Sequence, residues 1–112
     1  MPLLDVHCIT INALDPQRLA AFWATLLDGT ERDAGNGFVL VEPNEGGMRL
    51  LFQQADAATP EPGWIHLDCS VAEREFAVAE ICRLGGSLVE RRSDNHADWI
   101  VMADPEGNPF CI

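Results

Sequence analysis

The chain has 112 residues, of which 47% are hydrophobic, so we expect one folded domain with a real core and no extensive disorder. Its formal net charge of −11 disfavours nucleic acid or an anionic membrane as partner and favours a cytoplasmic protein. The sequence contains no basic leader and no apolar run of about 18 residues, so neither secretion nor a membrane span is expected. Its four cysteines form no CxxC pair and are expected to be reduced thiols, with Cys69 and Cys82 in the core.

The first half of the chain reads as a strand, a helix and a hairpin. Residues 4–13 alternate in the manner of a strand. Asp15-Pro16 then supplies a helix N-cap and a first helical residue. One helix face carries apolar residues at spacings of three and four, namely Leu19, Phe22, Trp23, Leu26 and Leu27. Asp28-Gly29 ends the helix, and residues 37–53 form the hairpin.

The second half repeats this order. Residues 64–71 are a predicted strand, residues 72–84 a helix and residues 87–92 another strand. The helix is expected to bury Phe76, Ala77, Ile81 and Leu84. The chain closes on a hairpin whose turn is Asp104-Pro105-Glu106-Gly107-Asn108, where Asp104 caps the turn.

Strand, helix, glycine stop and hairpin therefore occur twice, at an offset of about 60 residues. We interpret the chain as module one at about residues 1–54, a linker at 55–63 and module two at 64–112. Neither half alone can bury both faces of its sheet. We expect each helix to cover one sheet face, and the two opposite faces to curl around a shared cavity.

Three segments resemble the vicinal oxygen chelate superfamily, which includes glyoxalase I, bleomycin-resistance proteins and extradiol dioxygenases. They are residues 19–27, the strand start His66-Leu67-Asp68, and residues 104–111. The resemblance is closest to the small glyoxalase-like branch. It implies an α+β fold of two tandem βαβββ modules curled around a cavity, usually in a homodimer. Pairing of the modules within one chain or by exchange across the dimer stays open.

In metal-dependent members, four inward positions bind a divalent ion. When the resemblance is used to transfer these positions to this chain, one falls on His66 and another on Cys111. The metal-dependent members carry Glu at the position of Cys111. A third falls on Cys8, or on His7 if one residue is inserted, and the fourth on or near Leu50. Leu50 cannot coordinate a metal and Cys111 replaces a carboxylate, so we expect no metal cofactor. If one divalent ion does bind, its expected ligands are His66, Cys8 and Cys111, a soft set that favours zinc.

The candidate residues for the ligand cavity lie on strands expected to face it. They are His66, Asp68, Cys8, Asn12, Arg49, Trp64, Trp99 and Cys111. Trp64 and Trp99 would supply an aromatic wall. Arg49 would either pair with an anionic ligand or be an exposed edge-strand residue, and His66 would bind the ligand or simply pair with Asp68. Arg91-Arg92 is interpreted as a solvated strand end.

We therefore expect a metal-independent glyoxalase-like domain that binds or sequesters a small, partly apolar molecule, as bleomycin-resistance-like proteins do. The acidic surface favours cationic ligands by general attraction. The alternative is a metal-dependent lyase, isomerase or dioxygenase of the same superfamily. A third possibility is an interaction subunit whose cavity is filled by side chains. The sequence selects no ligand and leaves open whether any reaction is catalysed.

Overall fold

The computed structural model describes residues 6–56, 66–95 and 97–112. The chain divides into two compact units, Met1–Thr59 and Pro60–Ile112. Each unit contains one four-stranded sheet and one helix, in the order βαβββ. The predicted α+β class with two βαβββ modules is therefore confirmed. Within the described ranges, no helix is long and apolar enough to cross a bilayer.

Module one is a mixed sheet covered by a helix. Its elements are β1 (Ile9–Ala13), α1 (Pro16–Leu27), β2 (Gly29–Gly35), β3 (Phe38–Pro43) and β4 (Leu50–Gln54). The sheet order is β1-β4-β3-β2, with β1 parallel to β4 and the other neighbours antiparallel. The parallel pair follows from the helix, because α1 carries the chain back across the sheet before the hairpin begins.

Helix α1 begins and ends at the predicted residues. The Asp15 side chain accepts a hydrogen bond from the Arg18 main-chain N–H at 3.2 Å, and a proline opens the helix. Asp28 ends it in the left-handed conformation, with φ of 48°. Leu19 and Trp23 are buried against the sheet, and the Trp23 ring meets the Phe22 ring edge to face at 5.6 Å. Three residues of the predicted stripe, Leu19, Phe22 and Trp23, are therefore part of the core of module one, whereas Leu26 and Leu27 are half-buried.

Module two repeats this architecture. Its elements are β5 (Leu67–Asp68), α2 (Arg74–Arg83), β6 (Ser87–Ser93), β7 (Asp98–Ala103) and β8 (Pro109–Cys111). The order is β5-β8-β7-β6, with β5 parallel to β8. The buried core is made by Ile81, Ile100, Met102 and Phe110.

Helix α2 buries less than the sequence predicts. Phe76 is 66% exposed and Cys82 is exposed, so both predictions of core positions are wrong. Ile81 is the buried residue of α2. It lies five positions after Phe76, which turns it about 140° around the helix axis, so the two side chains cannot share one face. A bidentate ion pair between Glu75 of α2 and Arg91 of β6 supplements the small apolar contact.

The closing turn is organised by one buried carboxylate. Asp104 is 3% exposed and accepts hydrogen bonds from the main-chain N–H groups of Glu106 and Asn108, both at 2.9 Å. Its other oxygen accepts from the Asn108 side-chain amide at 2.8 Å. Gly107 adopts φ of 86°, which favours glycine. Asp104 thus caps the turn that places β8 beside β7, as predicted.

Candidate functional site

The module-two sheet has a core face and an open face. Asp68 on β5 is in register with Cys111 on β8, which is in turn in register with Val101 on β7. Residues in register on adjacent strands project to the same side, so these three form a row on the open face. The neighbouring row is Leu67, Phe110 and Met102, of which the last two are fully buried in the core.

A cleft of about 700 Å³ lies on this open face, within module two alone. Small-molecule sites occupy about 300–1,000 Å³, so its size suits a ligand. An apolar side is supplied by Val101 and Ile112. The polar or aromatic lining groups are His66, Asp68, Arg74, Arg92, Trp99 and Cys111. The structure thus brings four of the predicted cavity residues to one place, and their role as ligand contacts stays a prediction.

Asp68 lies at the centre of the polar groups in the cleft. Its Oδ1 is 3.2 Å from His66 Nε2, and a carboxylate oxygen lies within 4.8 Å of the Cys111 sulfur. Burial, with a further contribution from the Asp68 charge, raises the pKa of Cys111 above its ordinary value. Burial raises the pKa of Cys69 as well, again with Asp68 adding to the effect. Both cysteines are therefore neutral thiols at neutral pH and are poor nucleophiles.

The same cluster offers ligands for a metal ion. One donor atom from each of His66, Asp68 and Cys111 can be chosen so that all lie within 4.8 Å of one another. Imidazole nitrogen, carboxylate oxygen and thiolate sulfur together are a zinc-type set. The residues therefore fit zinc better than a hard cation that requires oxygen ligands. Asp68 was not among the expected metal ligands, although strand alternation places it on the same face as His66.

The remaining predicted site residues belong to module one, apart from Trp64. Cys8 is half-buried just before β1, and Asn12 is exposed on β1. Their contribution to a ligand cavity stays a prediction, as does that of Trp64, which lies outside the described residues. Leu50, onto which the fourth metal position falls, is 2% exposed in the core of module one.

Arg49 is occupied by groups of its own module. Its Nη2 lies 2.9 Å from His7 Nδ1, and its Nη1 lies 3.9 Å from a Glu42 carboxylate oxygen. The side chain is one-third exposed, so this ion pair contributes little to stability. Pairing of Arg49 with an anionic ligand would have to compete with both partners.

Two arginines of the cleft were not among the predicted site residues. Arg92 is 56% exposed and lies next to the last residue of β6, as expected of a solvated strand end, and it also lines the cleft, in register with Trp99. The register between β6 and β7 shifts between Leu88 and Glu90, and such an irregularity changes which residues face the cleft without leaving a sequence signal. Arg74 reaches the cleft from the first turn of α2, which strand alternation cannot reveal.

Comparison with known proteins identifies the family. The sequence profile of the glyoxalase-like domain matches residues 8–112. A search of curated protein sequences finds no significant match.

Solved structures share the fold at low sequence identity. The fosfomycin resistance protein FosX from Listeria monocytogenes, solved with Mn(II) and a sulfate ion, is 16% identical with a TM-score of 0.79, covering 98% of this chain and 89% of its own. FosX from Mesorhizobium loti is 14% identical with a TM-score of 0.72, covering 98% of this chain and 91% of its own. A possible glyoxalase from Bacillus cereus is 16% identical with a TM-score of 0.68, covering 96% of both chains.

These structural likenesses establish the fold and leave the activity open. The profile match extends over nearly the whole chain and includes both βαβββ modules. The chain therefore belongs to the glyoxalase-like domain family.

Proposed function

We propose that this glyoxalase-like domain binds a small, partly apolar molecule in the module-two cleft, and that it does so without a metal ion. The observation that carries the proposal is the cleft of about 700 Å³, in which polar groups converge beside apolar ones. Trp99 and Val101 offer apolar surface, while His66 and Asp68 offer hydrogen-bonding groups that can orient a ligand.

The hydrogen bonds within the cleft determine which ligand groups fit. An ionised carboxylate only accepts hydrogen bonds, so the proton shared by His66 and Asp68 belongs to His66 Nε2. In the tautomer that donates from Nε2 to Asp68, the Nδ1 atom of His66 is an acceptor, which suits a hydroxyl or amine donor on the ligand. The Cys111 thiol is neutral at neutral pH, because burial raises its pKa. Hydrogen bonding and apolar packing therefore favour binding, and no activated nucleophile is needed.

Sequestration is the role that we propose for this binding. Two of the similar structures are named as fosfomycin resistance proteins, which supports a role for the fold in handling small molecules. A protein that only binds its ligand protects by lowering the free concentration, so its affinity must match the concentration of the molecule. Homodimer formation, usual for the superfamily, is part of the same proposal.

A ligand screen by thermal shift tests the proposal. A ligand at about 100 times its dissociation constant stabilises the folded state by about 2.7 kcal/mol, which is readily measured. Val101→Trp fills the cleft and should abolish the shift. Val89→Trp is the matched control, because Val89 is 57% exposed and lies outside the cleft. No shift with any compound, or shifts that survive Val101→Trp, would contradict binding in the cleft.

A metal-dependent lyase, isomerase or dioxygenase is the second candidate, favoured by the three clustered donors. His66, Asp68 and Cys111 would hold the ion, which would act as a Lewis acid on a substrate oxygen. Elemental analysis of tag-free protein separates the candidates. About one equivalent of metal per chain, lost in His66→Ala but kept in His7→Ala, would overturn metal-independent binding. Protein without stoichiometric metal would favour the first candidate.

A further inference from the structure

The charge that lines the module-two cleft is opposite to that of the whole chain. The sequence has 18 acidic residues against seven basic ones. The lining of the cleft nevertheless includes two arginines, Arg74 and Arg92, and one carboxylate, Asp68. A general attraction of the acidic chain for cations therefore does not describe this cleft.

The single carboxylate is already engaged. Asp68 Oδ1 lies 3.2 Å from His66 Nε2, and a carboxylate oxygen of Asp68 lies within 4.8 Å of the Cys111 sulfur. The contact with His66 offsets part of the negative charge of Asp68, whose side chain is 80% exposed. An anionic ligand therefore meets less repulsion from Asp68 than from an unpaired carboxylate.

Arg74 makes no ion pair among the residues that the structure describes. The adjacent carboxylate of Glu75 forms a bidentate pair with Arg91 and so does not take Arg74 as its main partner. Exposed arginines are common, but this one extends from the first turn of α2 into the cleft. Its guanidinium can offer two parallel N–H donors to an oxyanion.

Arg92 supplies the second guanidinium and has an aromatic neighbour. Its Nε lies 3.2 Å from a Glu90 carboxylate oxygen, and this contact does not use the two terminal nitrogens. Arg92 is in register with Trp99 on the adjacent strand, so both side chains lie on the open face of the sheet. Trp99 is half-buried and offers an indole surface within the same cleft.

We propose that the cleft selects ligands in which an oxyanion is attached to a flat, apolar group. Arg74 and Arg92 bind the oxyanion, which is a carboxylate or a phosphate-type group. Trp99 and Val101 pack against the flat group. This inference rests on the proposed binding function, since it names the ligand class of the same cleft.

Calorimetry at low ionic strength with matched probes tests this inference. Naphthoate carries the carboxylate, naphthamide has nearly the same shape without charge, and naphthyl phosphate replaces the carboxylate by a phosphate. We expect naphthoate or naphthyl phosphate to bind about tenfold more tightly than naphthamide, because charged hydrogen bonds are stronger than neutral ones. The tighter of the two anions identifies the oxyanion. Added salt should reduce the difference between anion and amide.

Variants then locate the binding groups. Arg74→Gln and Arg92→Gln should each weaken the anion about five- to tenfold and leave the amide unchanged. Arg83→Gln is the matched control, because Arg83 pairs with Glu80 at 2.7 Å and lies outside the cleft. Circular dichroism confirms that each variant is folded.

The outcomes separate this inference from the proposed function. Equal binding of amide and anion, or anion binding that neither arginine variant weakens, overturns oxyanion selection and leaves cleft binding intact. Failure of all three probes to bind overturns the inference. The proposed function is contradicted as well only if the broad thermal-shift screen also yields no ligand.

Discussion

Replacement of Asp104 by alanine tests whether one buried carboxylate holds the closing turn. Asp104 is 3% exposed and accepts hydrogen bonds from the main-chain N–H groups of Glu106 and Asn108 and from the Asn108 side chain, at 2.8–2.9 Å. Alanine would leave these part-buried donors without their acceptor. Because the turn connects β7 to β8, which carries the core residue Phe110, the change should destabilise all of module two.

The expected loss can be set from these contacts. A hydrogen bond to a charged group contributes about 1.5–3 kcal/mol, and an unsatisfied buried donor costs about 1–3 kcal/mol. These terms overlap, and water can reach part of the turn, so we expect a total loss of about 3 kcal/mol. That is a large fraction of a typical stability of about 5–15 kcal/mol. For a chain of this length it corresponds to a fall of about 12 °C in melting temperature.

Urea unfolding at neutral pH, followed by tryptophan fluorescence, measures this loss. Asp33→Ala is the matched control, since exposed Asp33 accepts one hydrogen bond from the Gly35 main-chain N–H at 2.8 Å. We expect the control to lose less than about 1 kcal/mol. A loss in Asp104→Ala no larger than in Asp33→Ala would refute the reasoning, because it would show that water replaces the carboxylate without cost.

Three further predictions concern thiol chemistry and packing. Burial is the main cause of the raised pKa of Cys111, and the charge of Asp68 is the second. Asp68→Asn removes that charge, so Cys111 should be alkylated severalfold faster at a fixed alkaline pH. An unchanged rate would contradict an effect of Asp68 on the thiol. Folding raises the pKa of Cys111, so the stability contributed by its neutral thiol is fully present below the ordinary thiol pKa and is lost as pH rises through the raised value. The urea midpoint of the parent should therefore fall more steeply with rising alkaline pH than that of Cys111→Ser. Equal falls in the two proteins would contradict this linkage. Phe110→Ala should cost about 3–5 kcal/mol and exposed Phe76→Ala less than about 1 kcal/mol, and equal urea midpoints would argue against the packing described.

Local chemistry made much of the fold predictable from sequence. The boundaries of α1 follow from Asp15 at its start and Asp28-Gly29 at its end, and the closing turn follows from Asp104 and Gly107. Each signal involves residues close together in the chain, so it can be recognised without knowledge of tertiary contacts. Their recurrence in the same order indicated two modules, which the structure confirms.

Part of the candidate site also follows from strand alternation. His66 immediately precedes β5 and Asp68 lies two residues later, so in extended backbone they share a face. The parallel pairing of β5 with β8 is non-local, and it is this pairing that brings Cys111 beside Asp68. Family resemblance, rather than sequence pattern, anticipated that His66 and Cys111 would lie together.

Packing between elements decided the rest. The sequence by itself determined the order of elements, the helix boundaries of α1 and the closing turn, because those depend on neighbouring residues. Tertiary structure alone decided that Phe76 lies on the exposed side of α2, and that Arg74 and Arg92 line the cleft. The physical reason is that helix rotation against the sheet, and strand register past an irregularity, are set by contacts between residues distant in sequence.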